Sequence, residues 1–288
     1  MKLPYRLVLP VFLFLVAVLP ADALAQRGGG GSGAPPMRPN TPFEDFVEAL
    51  RLDLDDQVPP VQTLMVAGAK DTAPLVSELF QIRQQILNAE LTNDAAAKAP
   101  ALQAYVAGST KMAAAEAATF AKVYALLRPN QQSRAPGAFA QMAGFFFPPA
   151  NPGAAGRGAS GGALGRLDIL TNLFTLTGDQ KKEIRGWLDE THKAAAPARK
   201  GLVETRAALA KAIQSGADQA AIDVAAAAYA VHVTTMTDAE MMVLSAIIKK
   251  LTPEQRGNQR AVSTAFSLMR GFFVNDRRWD IVPDGRAY

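Results

Sequence analysis

Apolar positions recur at helical spacing over most of the chain between residues 43 and 273. Leu202, Arg206, Leu209 and Ile213 step by four, three and four, and Ile222, Tyr229, Met236 and Val243 step by seven. Ala226, Val233, Glu240 and Ile247 fall between the latter. Steps of three and four keep a stripe on one helix face, so these are seam positions of a long antiparallel helix pair, as in a coiled coil. Gln214-Ser215-Gly216-Ala217 supplies the turn and Asp218 an N-cap. An earlier segment repeats the pattern with Leu75, Leu79, Ile82 and Ile86, a break near Leu91-Thr92-Asn93-Asp94, then Pro100 opening a helix with Leu102, Tyr105, Met112, Phe120, Val123 and Leu127. Pro74 starts or kinks the first of these helices. No segment alternates with period two, so the expected fold class is all-α.

The two stretches match each other. Tyr105 and Tyr229, Met112 and Met236, Glu116 and Glu240, Val123 and Ile247, and Leu127 and Leu251 are each 124 residues apart. Gln57 and Gln180 are 123 apart, and Met142-Ala143-Gly144-Phe145-Phe146 matches Met269-Arg270-Gly271-Phe272-Phe273 at 127. A tandem duplication accounts for this: two helical-hairpin units, 43–147 and 164–273, joined by a Gly/Pro-rich linker at 148–163. Residues 26–42 form a second Gly/Pro-rich stretch, read as a flexible leader, and 274–288 a polar tail.

Residues 1–25 read as a signal peptide: Lys2 and Arg6 precede an apolar run from Leu7 to Leu19, and Ala23-Leu24-Ala25 is a small-x-small cleavage site. The run is shorter than the ~20 apolar residues a bilayer span needs, and no later stretch is read as reaching that length. The expected location is periplasmic or secreted, with no stable membrane insertion after cleavage. Absence of cysteine excludes disulfides, thiolate metal sites and a thiol nucleophile. A net charge of +4 falls short of a nucleic-acid-binding stripe, so no nucleic acid is expected as a partner. No phosphate-binding glycine loop and no G-x-S-x-G element occur, and the expectation is that the protein is not an enzyme.

Leu251-Thr252-Pro253-Glu254-Gln255 carries a helix start: Thr252 as N-cap, Pro253 at the first helical position, and Gln255 reaching back to the cap. Leu176-Thr177-Gly178-Asp179-Gln180 reads the same way. Leu127-Arg128-Pro129-Asn130-Gln131 keeps Leu127 and Gln131 without the threonine, and Leu54-Asp55-Asp56-Gln57 is one residue short. Two L-T-x-x-Q boxes flanking a helical hairpin, behind an export signal and without cysteine, resemble the Spy/CpxP or LTxxQ-motif family of periplasmic stress proteins, which includes heavy-metal-resistance sensors. The resemblance covers 164–273 well and 43–147 weakly. It implies an ATP-independent chaperone or envelope-stress adaptor whose helical cradle binds unfolded or envelope proteins, as a homodimer or, with both units in one chain, a monomeric pseudo-dimer.

The metal-sensing branch of that family offers an alternative. His232 and Met236 lie one turn apart, Glu240 a further turn along, and a hairpin turning at Ser215-Gly216 brings His192 opposite them. These four would hold a divalent transition metal; otherwise no cofactor is expected. A third alternative is a structural envelope protein that binds a partner. Phe145, Phe146, Phe147, Phe272 and Phe273 either close the hairpin cores or contact clients. Glu116 and Glu240, on apolar seams, are expected to pair with basic residues of a facing helix.

Overall fold

A computed structural model of the protein describes residues 42–142, 146, 165–274 and 279–280. The expected signal peptide, nearly all of the leader, the 148–163 linker, Phe145, Phe147 and most of the tail lie outside the described residues. Among the described residues every regular element is a helix: α1 (Pro42–Leu50), α2 (Val58–Thr92), α3 (Ala95–Ala125), α4 (Pro129–Gln132), α5 (Ala135–Met142), α6 (Arg166–Phe174), α7 (Gly178–Ala194), α8 (Ala196–Gln214), α9 (Gln219–Lys250), α10 (Pro253–Gly257) and α11 (Gln259–Leu268).

Two tight turns create the long helical pairs. Asn93 ends α2 in the left-handed region at φ 55°, and Asp94 caps α3 by accepting the Ala97 N–H at 2.9 Å. Gly216 ends α8 at φ 66°, and Asp218 caps α9 by accepting the Ala221 N–H at 2.9 Å. Asparagine and glycine are the residues that tolerate this backbone region best. The spacing is 123 residues between Asn93 and Gly216 but 124 between Asp94 and Asp218, so Ala217 is the extra residue of the second turn.

Pro100 departs from expectation, and Pro74 takes an interior place, one of the two expected for it. Pro100 does not open α3, which Asp94 starts five residues earlier than Pro100 would, and Pro74 lies inside the 35-residue α2 rather than at its start. Pro197, 123 residues after Pro74, falls in the first turn of α8, where the helical arm is divided at Ala195. Proline removes one backbone hydrogen bond, and a first turn has no partner for that N–H in any case.

The pairs do not pack as separate bodies. α9 lies against α3 and α2 as well as against α8, and α5 packs on α8. Phe80 of α2 meets Phe266 of α11 edge-on at 5.2 Å. Lys249 of α9 donates to the Glu90 carbonyl at 2.6 Å and to Asn93 Oδ1 at 2.9 Å, tying the end of α9 to the α2–α3 turn. Lys98 bridges Glu90 and Asp238 between α2 and α9. Contrary to the expectation that no stretch after the signal peptide reaches membrane length, α9 is by length and composition apolar enough to cross a bilayer. Over half of its most apolar window, 56%, is buried inside the bundle, where Leu244, Ile247 and Met241 are fully covered.

Candidate functional site

The glutamines of the four motif copies meet in two clasps. Gln57 and Gln131 exchange amide hydrogen bonds, Nε2 to Oε1, at 2.9 and 2.8 Å. Gln57 also accepts the Asp53 N–H at 3.1 Å and donates to the Leu126 carbonyl at 2.9 Å. Gln131 accepts the Arg128 N–H at 2.8 Å and donates to the Arg51 carbonyl at 2.9 Å. Gln180 and Gln255 do the same at 3.0 and 3.2 Å. They accept the Thr177 and Thr252 N–H groups and donate to the carbonyls of Lys250 and Thr175. Each glutamine thereby uses both amide protons and both directions of its carbonyl oxygen, which glutamate could not reproduce.

The clasps close the ends of helices. Leu126 and Lys250 lie at the C-termini of α3 and α9, and Arg51 and Thr175 follow α1 and α6 in the left-handed region at φ 50° and 51°. The motif leucines Leu127, Leu176 and Leu251 are buried beside them. Thr177 and Thr252 accept the N–H groups of Gln180 and Gln255 at 3.2 and 3.3 Å, completing the capping boxes. Gln57 has a different local partner from the one its sequence suggests. Its cap counterpart is Asp53, whose Oδ1 accepts the Asp55 and Asp56 N–H groups at 3.0 Å. That motif copy therefore begins at the buried Leu52 and is one residue longer than the others; Leu54 is 72% exposed. The two backbone N–H groups, with Arg128 adding a smaller effect, hold the Asp53 carboxyl below its ordinary value.

The second feature is a cavity of about 100 Å³ between the helical pairs. Its walls carry residues 123 or 124 apart in sequence: Leu79 with Leu202, Arg83 with Arg206, Tyr105 with Tyr229, Met112 with Met236, and Glu116 with Glu240. Arg83 and Glu240 are 1% exposed and form an ion pair at 2.9 Å between α2 and α9; Arg83 also donates to Thr237 Oγ1 at 3.2 Å. Burial pushes the Glu240 carboxyl up, and Arg83, the Phe272 N–H and Arg166 offset this only in part. Burial pulls on the Arg83 guanidinium too, but Glu240 and the Tyr105 phenol outweigh it and hold it above its ordinary value. Burial also raises the Tyr229 phenol, against the pull of Arg206, which donates to Tyr229 Oη at 3.1 Å.

Glu116 and Glu240 each accept a backbone N–H from the phenylalanine clusters: Phe146 at 3.2 Å and Phe272 at 3.0 Å. This pairing puts Phe146 in register with Phe272, one residue off the match drawn from sequence. Phe146, Phe272 and Phe273 are 7%, 0% and 0% exposed, so they close the core and present no surface to a client. Trp279 stacks on Phe272 at 5.7 Å and donates to Asp189 at 2.6 Å. Arg166 lies over the Phe272 ring at 4.6 Å.

The four residues considered for a metal are divided. Met236 and Glu240 line the cavity, with Glu240 engaged by Arg83. The half-buried His232 imidazole lies directly on Gly201 of α8, where a Cβ would fall 2.2 Å from it. His192 is half-buried in the last turn of α7, nine residues from Gly201, roughly 13 Å along a helical arm. Among the described residues no group of three or more His, Asp and Glu side chains is placed to hold a metal.

Sequence reasoning missed Arg83 as the partner of Glu240. It sits 123 residues before Arg206, the spacing of Gln57 and Gln180, and that match was the available signal. No family model matches the chain, no curated protein matches it, and no solved structure matches it.

Proposed function

We propose that the chain is an exported, non-enzymatic binding protein of the LTxxQ kind, built from two copies of one helical hairpin unit and acting as an ATP-independent chaperone or envelope-stress adaptor. The observation that carries this reading is the pair of glutamine clasps. They give all four motif copies one role, locking the ends of a long helical frame. The matched residues in the cavity walls support the two-copy architecture.

Client contact then falls to the outside of the frame, because Phe146, Phe272 and Phe273 are buried. Val203 on α8 and Val224, Val231 and Met242 on α9 are 48–72% exposed. Dispersed aliphatic contacts with a mild basic excess suit loose capture of unfolded chains. The test is light scattering from a thermally unfolding client, without nucleotide. Suppression at stoichiometric ratio is expected, together with its loss in a Val203→Asp, Val224→Asp, Val231→Asp variant that retains its helical circular dichroism. Unchanged aggregation with the unmodified protein overturns the chaperone reading.

A further inference from the structure

The cavity at the junction of the helical pairs draws its walls from both of them. α2 and α3 contribute Leu79, Tyr105 and Met112, and α8 and α9 contribute their counterparts Leu202, Tyr229 and Met236. Ser109 with Val233 and Ala113 with Thr237, each 124 residues apart, extend the matching. An occupant therefore meets like side chains from both pairs, which suits a flat ring with two equal faces.

The accessible wall is mostly carbon. Atoms that line a gap lose the dispersion contacts of a filled interior, so an apolar occupant is favoured. A charged molecule would be desolvated against such walls without recompense, and Arg83 and Glu240 already spend their charges on each other at 2.9 Å. An enclosed apolar cavity of ~150 Å³ takes up benzene or xenon. This one measures about 100 Å³ and opens on the side of the partly buried Arg206, Val233 and Val274, so a single ring has room with one edge toward the mouth.

Among apolar molecules of that size the lining favours an aromatic one. Met112 and Met236 each bring a polarizable thioether on a flexible chain, and sulfur gains from contact with a ring edge. Tyr105 and Tyr229 add the chance of offset or edge-on ring contact. We infer that the cavity binds a small uncharged aromatic molecule, one ring in size, held between Met112 and Met236 with Tyr105 and Tyr229 beside it. This site goes beyond the chaperone reading and does not rest on it.

The experiment is NMR of the full chain carrying carbon-13 in its methionine methyl groups, with benzene as the probe and cyclohexane and sodium benzoate as comparators. Benzene is expected to shift two methionine methyl resonances through its ring current. Met112→Leu and Met236→Leu should each remove one of the two, which assigns them. The melting temperature should rise with benzene concentration, and cyclohexane and benzoate should bind at least about tenfold more weakly. Val233→Phe sets a ring of the chain's own at the mouth and is expected to weaken benzene at least about tenfold while keeping native circular dichroism. Benzene that leaves the Met112 and Met236 methyls unmoved overturns the inference. Cyclohexane binding as tightly as benzene also overturns it, as a cavity that selects by size alone, and so does benzoate binding more tightly, as a site that seeks charge. Unchanged benzene affinity in a folded Val233→Phe variant overturns it by placing the binding elsewhere.

Discussion

Replacing Gln131 by alanine tests whether the motif glutamines lock the fold. Gln131 is 4% exposed and makes four side-chain hydrogen bonds. After truncation Gln57 still accepts from Asp53 and donates to Leu126, so its amide remains partly served. The Arg128 N–H and the Arg51 carbonyl lose the Gln131 bond. A stranded buried polar group costs ~1–3 kcal/mol, and both lie only partly buried, so about 1 kcal/mol each is the fitting value. The lost methylene packing adds about 1 kcal/mol. The expected destabilisation is therefore about 3 kcal/mol, read as a shift of the urea midpoint with unchanged slope. Because the two amides bond each other directly, a cycle with Gln57→Ala should show ~1–2 kcal/mol of coupling. Gln131→Glu should be at least as damaging at neutral pH, since a carboxylate cannot donate to Arg51 or Gln57. Gln255→Ala should lose less, about 1 kcal/mol, because Gln255 is half-exposed. A Gln131→Ala loss below about 1 kcal/mol, or no coupling to Gln57, would refute the clasp and return the motif to a surface role.

Three further outcomes are expected. Arg83→Met should destabilise by ~3–5 kcal/mol because it leaves Glu240 buried without its counter-ion, whereas Arg83→Met with Glu240→Met should recover most of that loss in chemical denaturation. Glu240 in the single variant has a folded pKa raised further above its unfolded value. Its favourable state is then present in acid and lost as pH rises, so the deficit should shrink toward low pH; a deficit that grows in acid contradicts the pairing. Gly201→Ala should cost about 1–3 kcal/mol by driving a methyl into the His232 ring, with His232→Ala restoring part of it; additive losses in melting curves would mean that the two do not touch. Lys98 is pulled down by burial, but Asp238 and Glu90 outweigh this and raise its pKa. Its stabilisation is present below the unfolded lysine pKa and lost as pH rises through the folded one. The melting difference between the protein and Lys98→Met should therefore be steady at neutral pH and shrink in strong alkali; a difference independent of pH would contradict the bridge.

Local sequence determined the helices and their ends, because each signal acts within a few residues. Steps of seven along Ile222, Tyr229, Met236 and Val243 specify one buried face of α9, and Thr177, Thr252 and Asp218 specify helix starts through bonds to residues three positions on. The 123- and 124-residue spacing by itself also marks Tyr105, Tyr229, Glu116 and Glu240 as matched positions. What those matched residues do was decided only by tertiary structure. Gln57 and Gln131 are 74 residues apart and Arg83 and Glu240 are 157, and a hydrogen bond's range of ~3 Å says nothing about such pairs until the chain has folded. Tertiary packing likewise set Phe272 and Phe273 in the core, laid His232 on Gly201, and buried two nitrogens of Arg83 without a hydrogen-bond partner. Periodicity assigns a side chain to a face of its own helix, and only the packing of the second helical pair determines what that face meets.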